Sequence, residues 1–441
     1  MKPPHSENIG SYDNQGLTVS KKIDPIGQLD DYWKHLQLFS RNVRLYLTGS
    51  FLIGLTFACY LLLMNLYLRE QGIPESFIGK VLSFGALGMT LMAIPAAFVL
   101  RRIRLKKILL LSTTVYVLAI LFLTQIPASS MLFVLSFLAG MAMTFYRVAA
   151  GPFFMRNSTP KERTYIFSVS FGVSLLASMI GSLIFGEMVT LLSSMNGGIV
   201  AAYRWAFVLA GGLGLLAVLP FGLIKAADPS KADKDSDFSF DLLKRRIGLY
   251  GKLFFPHFIV GSGAGLIIPF LNLYFRDRFG QPTDNIGWLY FVGHTTMLIG
   301  ILAGPVLVKK IGMIRSVVLT QLLSMPFMVI LAYTYSLPMA IGAFLMRGAL
   351  MNLGVPIGSN FGMEMVSKSE QALVNALLML SWTSSWMVST YYGGRLIESY
   401  GYTLPLMIAV GLYFVSSVSY YFFFRDSEIK TDSGYKIEAT G

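Results

Sequence analysis

The sequence predicts an all-α polytopic membrane protein, with twelve transmembrane helices arranged as two pseudo-symmetric six-helix bundles. Three observations predict it: a composition too apolar for a water-soluble surface, a series of uncharged runs of membrane-spanning length, and an internal repeat whose register is 207 to 208 residues. Of 441 residues, 54% are hydrophobic and only 13% charged, against about 25% charged in soluble domains. Such a chain cannot cover its surface with polar groups. A mean hydropathy of +0.60 excludes a disordered chain and speaks against a cytosolic enzyme. Cys59 is the one cysteine and has no partner in the chain, which removes a disulfide scaffold.

The spans follow in order along the chain. Runs free of charge and of histidine cover 45–68, 81–100, 108–146, 164–186, 205–224, 258–275, 316–346, 371–394 and 399–424. About 20 residues at 1.5 Å each cross roughly 30 Å of hydrocarbon, so the two longest runs must be hairpins. They break at residues 125–130 and 335–338, where Pro127 and Pro338 stand among polar residues. Two further spans each carry one cationic or titratable side chain: His294 within 285–308 and Arg347 within 337–363. The total is twelve.

The net charge of +13 raises the question of nucleic acid, and its distribution answers it. With the N-terminus placed in the cytoplasm, eighteen basic residues fall in inside loops, among them Arg101, Arg102, Arg104, Lys106 and Lys107. Five fall outside: Arg69, Arg204, Arg276, Arg278 and Arg395. That asymmetry is the positive-inside pattern, so both termini are expected in the cytoplasm and no nucleic acid is needed. The partners expected are the lipid bilayer and a small-molecule substrate, the localisation is the cell membrane, and the chain is expected to be monomeric.

Residues 1–42 form a polar tail without the pattern of a cleavable signal. Within it the stretch from Asp30 to Phe39 reads either as a short interfacial helix with Trp33 at the headgroups or as a flexible tail with one anchoring turn. The expected organisation is then a bundle over 43–224, a Lys/Asp/Ser-rich linker over 225–247, a second bundle over 248–425 and a tail over 426–441.

The repeat is read from residues. Asn65-Leu66-Tyr67-Leu68-Arg69-Glu70 returns as Asn272-Leu273-Tyr274-Phe275-Arg276-Asp277, and Phe51 to Gly54 returns as Phe258 to Gly261. After one inserted residue Pro74, Ile78 and Gly79 map to Pro282, Ile286 and Gly287, Arg101-Arg102-Ile103 to Lys309-Lys310-Ile311, Glu162 to Glu370, and Gly186 to Gly394. Six helices per half is an even number, so the halves run parallel about an axis along the membrane normal.

Two parallel six-helix repeats, a long central loop and a basic turn between helices 2 and 3 that recurs between helices 8 and 9 resemble the major facilitator superfamily, in a form of bacterial type. The resemblance covers residues 40–425. The family's turn carries a Gly, Asp-Arg, another Gly and two bases; here stand Ala97, Arg101-Arg102, Arg104 and Lys106-Lys107, and in the second half Pro305, Lys309-Lys310, Gly312 and Arg315. The family's acid is thus a base in both halves. What the resemblance implies is a cytoplasmic gate at these turns, with Lys309 and Glu364 as the latch with exchanged charges, or else a solvated topogenic cluster. In the first half Arg101 and Arg156 are alike in sign, so Glu162 would have to serve there, with Glu370 as its mate. The antiporter branch's helix 5 motif survives only as Ala177, Gly181-Ser182 and Phe185-Gly186, residues that also suit close helix approach.

Ionisable groups at depth are costly and are functional candidates. Arg147 lies nine residues before Arg156, and Arg347 nine after Pro338, each about 13 Å from its helix end. Because helices 4 and 10 line the family's central cavity, both guanidiniums are candidates for a carboxylate or phosphate, or for structural bonds to carbonyls. Arg347 aligns with Ala139, so they are not a symmetric clamp. His294 is a candidate proton relay or a buried neutral histidine, with Glu187 as the other coupling candidate. Of 23 carboxylates, Glu187 and Glu364 are those expected within or at the edges of spans. Tyr60, Tyr146, Asn272, Asn352, Asn375, Trp382 and Trp386 are candidate cavity-lining residues, though such side chains also serve as packing and interhelix glue.

The function expected is that of a secondary transporter of a small organic solute, anionic or amphipathic, working by alternating access. Multidrug-type efflux remains open, as does, from another class, a membrane-embedded enzyme or sensor. No cofactor or metal is expected, and no catalytic residues: the chain shows no metal-ligand spacing and no nucleotide-type phosphate loop.

Overall fold

The computed structural model describes residues 39–125, 130–195, 197–225, 246–367, 370–431 and 434–437. The expected interfacial stretch at residues 30–38 and most of the linker lie outside these residues, as does Lys368. The described residues from Ser40 onward belong to one compact unit.

The first half runs α1 (Arg41–Glu70), α2 (Glu75–Arg102), α3 (Leu105–Gln125), α4 (Met131–Asn157), α5 (Pro160–Met195) and α6 (Gly198–Leu223), the last interrupted at Ala217. The second runs α7 (Ile247–Phe279), α8 (Thr283–Ile311), α9 (Met313–Tyr333), α10 (Leu337–Glu364), α11 (Gln371–Tyr400) and α12 (Thr403–Phe424). Ser40 opens α1 by accepting the Val43 N–H at 3.3 Å. Gly72, at φ 75°, and Gly280, at φ 62°, end α1 and α7 in the same left-handed conformation, and both stand in the repeat register. In α7 the chain tightens into a 3₁₀ turn at Ile268–Phe270, where Pro269 removes an N–H from the ladder.

Eleven of the twelve helices are long and apolar enough to cross a membrane. The other, α11, has the length, 30 residues, but carries Asn375, Thr383, Ser384 and Ser385 along its middle. It packs against α2 and α7, which explains how so polar a sequence is carried there. The helix also runs further than its uncharged stretch, so Glu398 joins its last turn and Glu75 opens α2, two carboxylates the sequence had placed outside the spans. Beyond α12 the expected tail forms an antiparallel hairpin of β1 (Glu428–Thr431) and β2 (Gly434–Ile437).

Packing repeats between the halves. In the first, α1 lies on α5 and α6, α2 on α4, and α3 on α4 and α6; in the second, α7 lies on α11 and α12, α8 on α10, and α9 on α10 and α12. Two seams join the halves, α2 with α11 and α5 with α8, again a symmetric pair. By contrast, neither α4 nor α10 packs to a comparable extent on a helix of the other half. The end of the bundle that carries Arg102 and Lys309 is called the basic end below.

Candidate functional site

Away from the basic end the halves are sewn together by bonds that come in pairs. The Asn65 amide donates to the Pro269 carbonyl at 2.5 Å, and the Asn272 amide donates to the Leu62 carbonyl at 2.8 Å. These are one interaction made twice, since Leu62 and Pro269 are also repeat mates. Arg276 reaches Glu70 at 2.6 Å and Arg69 reaches Asp277 at 3.9 Å, the same exchange between the next turns. Tyr67 donates to the Thr124 carbonyl, and Tyr274 donates to that of Leu331 at 2.7 Å, tying each helix into its own half. The seams are closed by backbone: a Cβ on Gly79 would meet the Thr390 carbonyl oxygen at 2.5 Å, and one on Gly287 would meet that of Ser182 at 2.6 Å. Side chains add Ser83 to Met387 at 2.5 Å, Tyr203 with Thr283 at 2.7 Å, and Trp288 to Glu187 at 2.7 Å.

Several of the candidate residues are held by bonds within the protein. Asn272 is fully buried in the seal, because its amide has a carbonyl to satisfy across the interface. Glu187, an expected coupling group, accepts the Trp288 indole N–H at the α5–α8 seam. Arg347 is 6% exposed; its guanidinium donates to the Tyr413 hydroxyl at 2.8 Å and rests near that ring, so it is turned toward α12. Asn352 donates back to the Gly348 carbonyl at 2.9 Å within its own helix, and Asn375 is exposed.

Arg147 is different. It is exposed although it stands nine residues before Arg156 in α4. Its guanidinium lies over the Phe57 ring, 5.2 Å from the centroid, and makes no hydrogen bond among the described residues. Around it stand Tyr146, which donates to the Ser50 hydroxyl at 2.9 Å, the half-buried Tyr60, and Tyr116, whose buried hydroxyl has no hydrogen-bond partner. On the other half the rings of Trp382 and Trp386 are tilted at 37° with centroids 5.7 Å apart, and the Trp386 indole N–H likewise has no partner among the described residues. His294 is half-buried with Nδ1 2.7 Å from the Tyr290 carbonyl. A guanidinium carries five donors and no acceptor, and rings stand on one side of this one.

At the basic end Lys309 and Glu364, the latch expected in the second half, form no ion pair among the described residues. Glu364 accepts from Asn360 at 2.7 Å, while Lys309, Lys310 and Arg102 are exposed; the Arg101 side chain lies outside the described residues. Glu162 and Glu370 instead close capping boxes at the starts of α5 and α11. Glu162 accepts the Thr159 N–H at 3.1 Å and Glu370 that of Ser367 at 3.1 Å, the same Ser/Thr-x-x-Glu motif in both copies. Glu370 is more deeply held. Its carboxylate also takes the Ser367 hydroxyl at 2.6 Å and the Tyr250 hydroxyl at 2.8 Å, with Arg246 3.9 Å away, and these hold its carboxyl below the usual range. Among the described residues no group of three or more His, Cys, Asp or Glu is placed to hold a metal.

Comparison with known proteins agrees with this geometry. The Major Facilitator Superfamily profile matches residues 46–254 and 253–437, once per half. An uncharacterized MFS-type transporter, YcaD of Escherichia fergusonii, is 22% identical over 380 residues, covering 86% of this chain and 95% of its own; YcaD of Salmonella typhi is 20% identical over 382. Among solved structures, the nucleoside transporter NupG superposes with a TM-score of 0.74 at 12% identity, covering 87% of this chain and 100% of its own. A D-xylose-proton symporter gives 0.70 at 10%, over 86% and 97%, and an inward-facing, occupied bacterial Spinster homologue 0.69 at 15%, over 89% and 97%. With its two matched repeats and paired seams, the chain belongs to the major facilitator superfamily of membrane transporters.

Proposed function

We propose that this transporter carries a small organic anion by alternating access, and that Arg147 is the group that binds the anion. The observation that carries this reading is the Arg147 guanidinium, exposed at depth, stacked over Phe57 and without a hydrogen-bond partner among the described residues. A cation held at membrane depth without a counter-charge is costly; an arriving carboxylate or phosphate supplies one bidentately. The positive-inside distribution supports placing the basic end and both termini in the cytoplasm. The paired seal then faces outward and the structure is the inward-facing state.

NupG is a nucleoside transporter and another neighbour is a D-xylose-proton symporter, which sets the competing arm of the test. Purified protein is screened by thermal shift against small mono- and dicarboxylates, phosphate esters, nucleosides, pentoses and amphipathic cations. Hits are then tested for counterflow in proteoliposomes. The anion reading expects acids to raise Tm, Arg147→Ala to abolish that rise, and Arg147→Lys to retain part of it. Stabilisation by nucleosides, pentoses or cations alone, unchanged in Arg147→Ala, refutes it.

A further inference from the structure

Three helix ends of the second half meet around an apolar groove. It opens between the end of α7, the first turns of α8 and the start of α10, away from the basic end, and encloses about 360 Å³. Phe275, Ile286 and Leu289 form its buried floor. Asn285 and Gln281 stand at its mouth, bonded to each other at 3.1 Å, while Val292 and Ile341 lie furthest from the helix ends. From Asn285 to Val292 the groove follows α8 for seven residues, about 10 Å.

The repeat shows what fills such a place. At the offset of 208 residues, Asn285, Val292 and Ile341 stand where the first half has Phe77, Phe84 and Phe133. Those three rings pack together, Phe133 lying 5.0 Å from Phe77 and 5.0 Å from Phe84 between centroids. The second half has lost all three, and no described residue takes their place. The groove also lies on the face of α8 that meets hydrocarbon. Trp288 and Val292 on its wall are exposed, and the helix continues with Ile299, Leu302 and Val306, each more than half exposed. So apolar a stripe on a spanning helix is the surface that lipid tails cover. Water in the groove would meet one pair of amides and otherwise apolar wall, too few partners to hold it. Left empty, the lining would forfeit the dispersion contacts that the rings supply in the first half.

We propose that this groove is a lipid-binding site that takes one acyl chain in the place of the three missing rings. The acyl chain lies along α8 over Phe275, Ile286 and Leu289 and ends against Val292 and Ile341. Its ester linkage sits at the level of the two amides. Asn285 donates to Gln281, and Gln281 to the Phe279 carbonyl at 3.1 Å, which leaves one N–H of each amide free among the described residues for an ester carbonyl. Trp288, held by Glu187, walls the groove on the side of the α5–α8 seam.

Native mass spectrometry of the full-length protein, mixed in detergent with dioleoyl phosphatidylglycerol or dioleoyl phosphatidylethanolamine, counts the lipids retained. Copying the rings of the first half, with Asn285→Phe, Val292→Phe and Ile341→Phe together, is expected to remove one retained lipid per protein with either headgroup, because the acyl chain is what is recognised. Ile299→Phe with Leu302→Phe, on the same face outside the groove, is expected to remove none. The converse variant, Phe77→Asn, Phe84→Val and Phe133→Ile together, is expected to gain one. Glycerophosphoglycerol, a headgroup without acyl chains, should displace nothing. Equal retention in wild type and the filled variant, an equal loss in the Ile299/Leu302 control, or displacement by glycerophosphoglycerol overturns the proposal. Should the triple variants not fold, Ile341→Phe alone decides: retention equal to wild type overturns it, and a lowered occupancy supports it.

Discussion

The seal away from the basic end depends on backbone touching backbone, and a single methyl group tests it. A Cβ added at Gly394 would lie 2.2 Å from the Glu75 carbonyl oxygen and 3.0 Å from the Gly79 Cα. The first contact falls 1.2 Å short of the 3.4 Å at which ordinary contact begins. Neither partner is a side chain that can rotate away, so Gly394→Ala must move α2 and α11 apart. At Gly186 the same change meets the Gly287 Cα at 3.0 Å and the Thr283 oxygen at 3.1 Å, a far smaller deficit. Overpacking of this kind costs about 1–3 kcal/mol. Levied on the sealed state alone, it shifts the sealed-to-open ratio by roughly 5- to 150-fold. The assay is the rate at which a membrane-impermeant maleimide labels Thr283→Cys, buried between the halves beside Tyr203, in a Cys59→Ser background. Gly394→Ala is expected to accelerate labelling at least about fivefold, and Gly186→Ala less. Wild-type labelling in Gly394→Ala, or a larger effect from Gly186→Ala, refutes the view that backbone contact holds the seal.

Further outcomes follow from the same geometry. The Arg276–Glu70 pair is about one-quarter exposed on each side; a double-mutant cycle to alanine, read from unfolding in detergent, is expected to give a coupling of at most about 1 kcal/mol, declining with salt. The carboxyl of Glu370 titrates below its unfolded value, so its stabilisation is present above the ordinary carboxylate pKa, about 4.3, and is lost as pH falls through the lowered folded value. The Tm difference between wild type and Glu370→Gln is accordingly expected to narrow from pH 6 toward pH 3, about the interval in which a lowered carboxylate titrates; a constant difference contradicts it. Glu428 in the tail hairpin accepts the Met313 and Ile314 N–H groups at 2.5 and 3.3 Å, capping α9. Glu428→Ala should therefore cost about 0.5–2 kcal/mol in unfolding measurements, the usual worth of an N-cap.

The fold was legible because lipid forces it into the sequence: a span must be apolar for its whole length, and basic loops sort to one side. Only α11 departs, since a helix wedged between α2 and α7 can carry serines and threonines that a lipid-facing one cannot. The site was read less well. Asn65 and Asn272 were recognised as repeat mates, and Asn272 as a cavity residue, but a list of residues does not say that each amide seeks a carbonyl in the other copy. Arg147 and Arg347 look alike in sequence; what separates them is Tyr413, 66 residues beyond Arg347, whose hydroxyl receives one and not the other. The groove beside α8 was missed because it arises from an absence, the rings lacking at Asn285, Val292 and Ile341. Comparing each half position by position for gains and losses of bulk would have found it.

The two halves of this protein serve as an alignment of two sequences that share one history. Where the copies still agree, at the asparagines, the tyrosines, the arginine–acid exchanges and the seam glycines, a change in one copy is felt by its twin, and neither can drift alone. Where they have parted, at Tyr146 against Gly354 and Arg147 against Val355, the bonds of the positions among the described residues stay within their own half. Duplication thus left a hinge bound to its own mirror image and positions beyond it free to specialise, which is how one ancestral half could become both the side that holds a cation and the side that holds a groove.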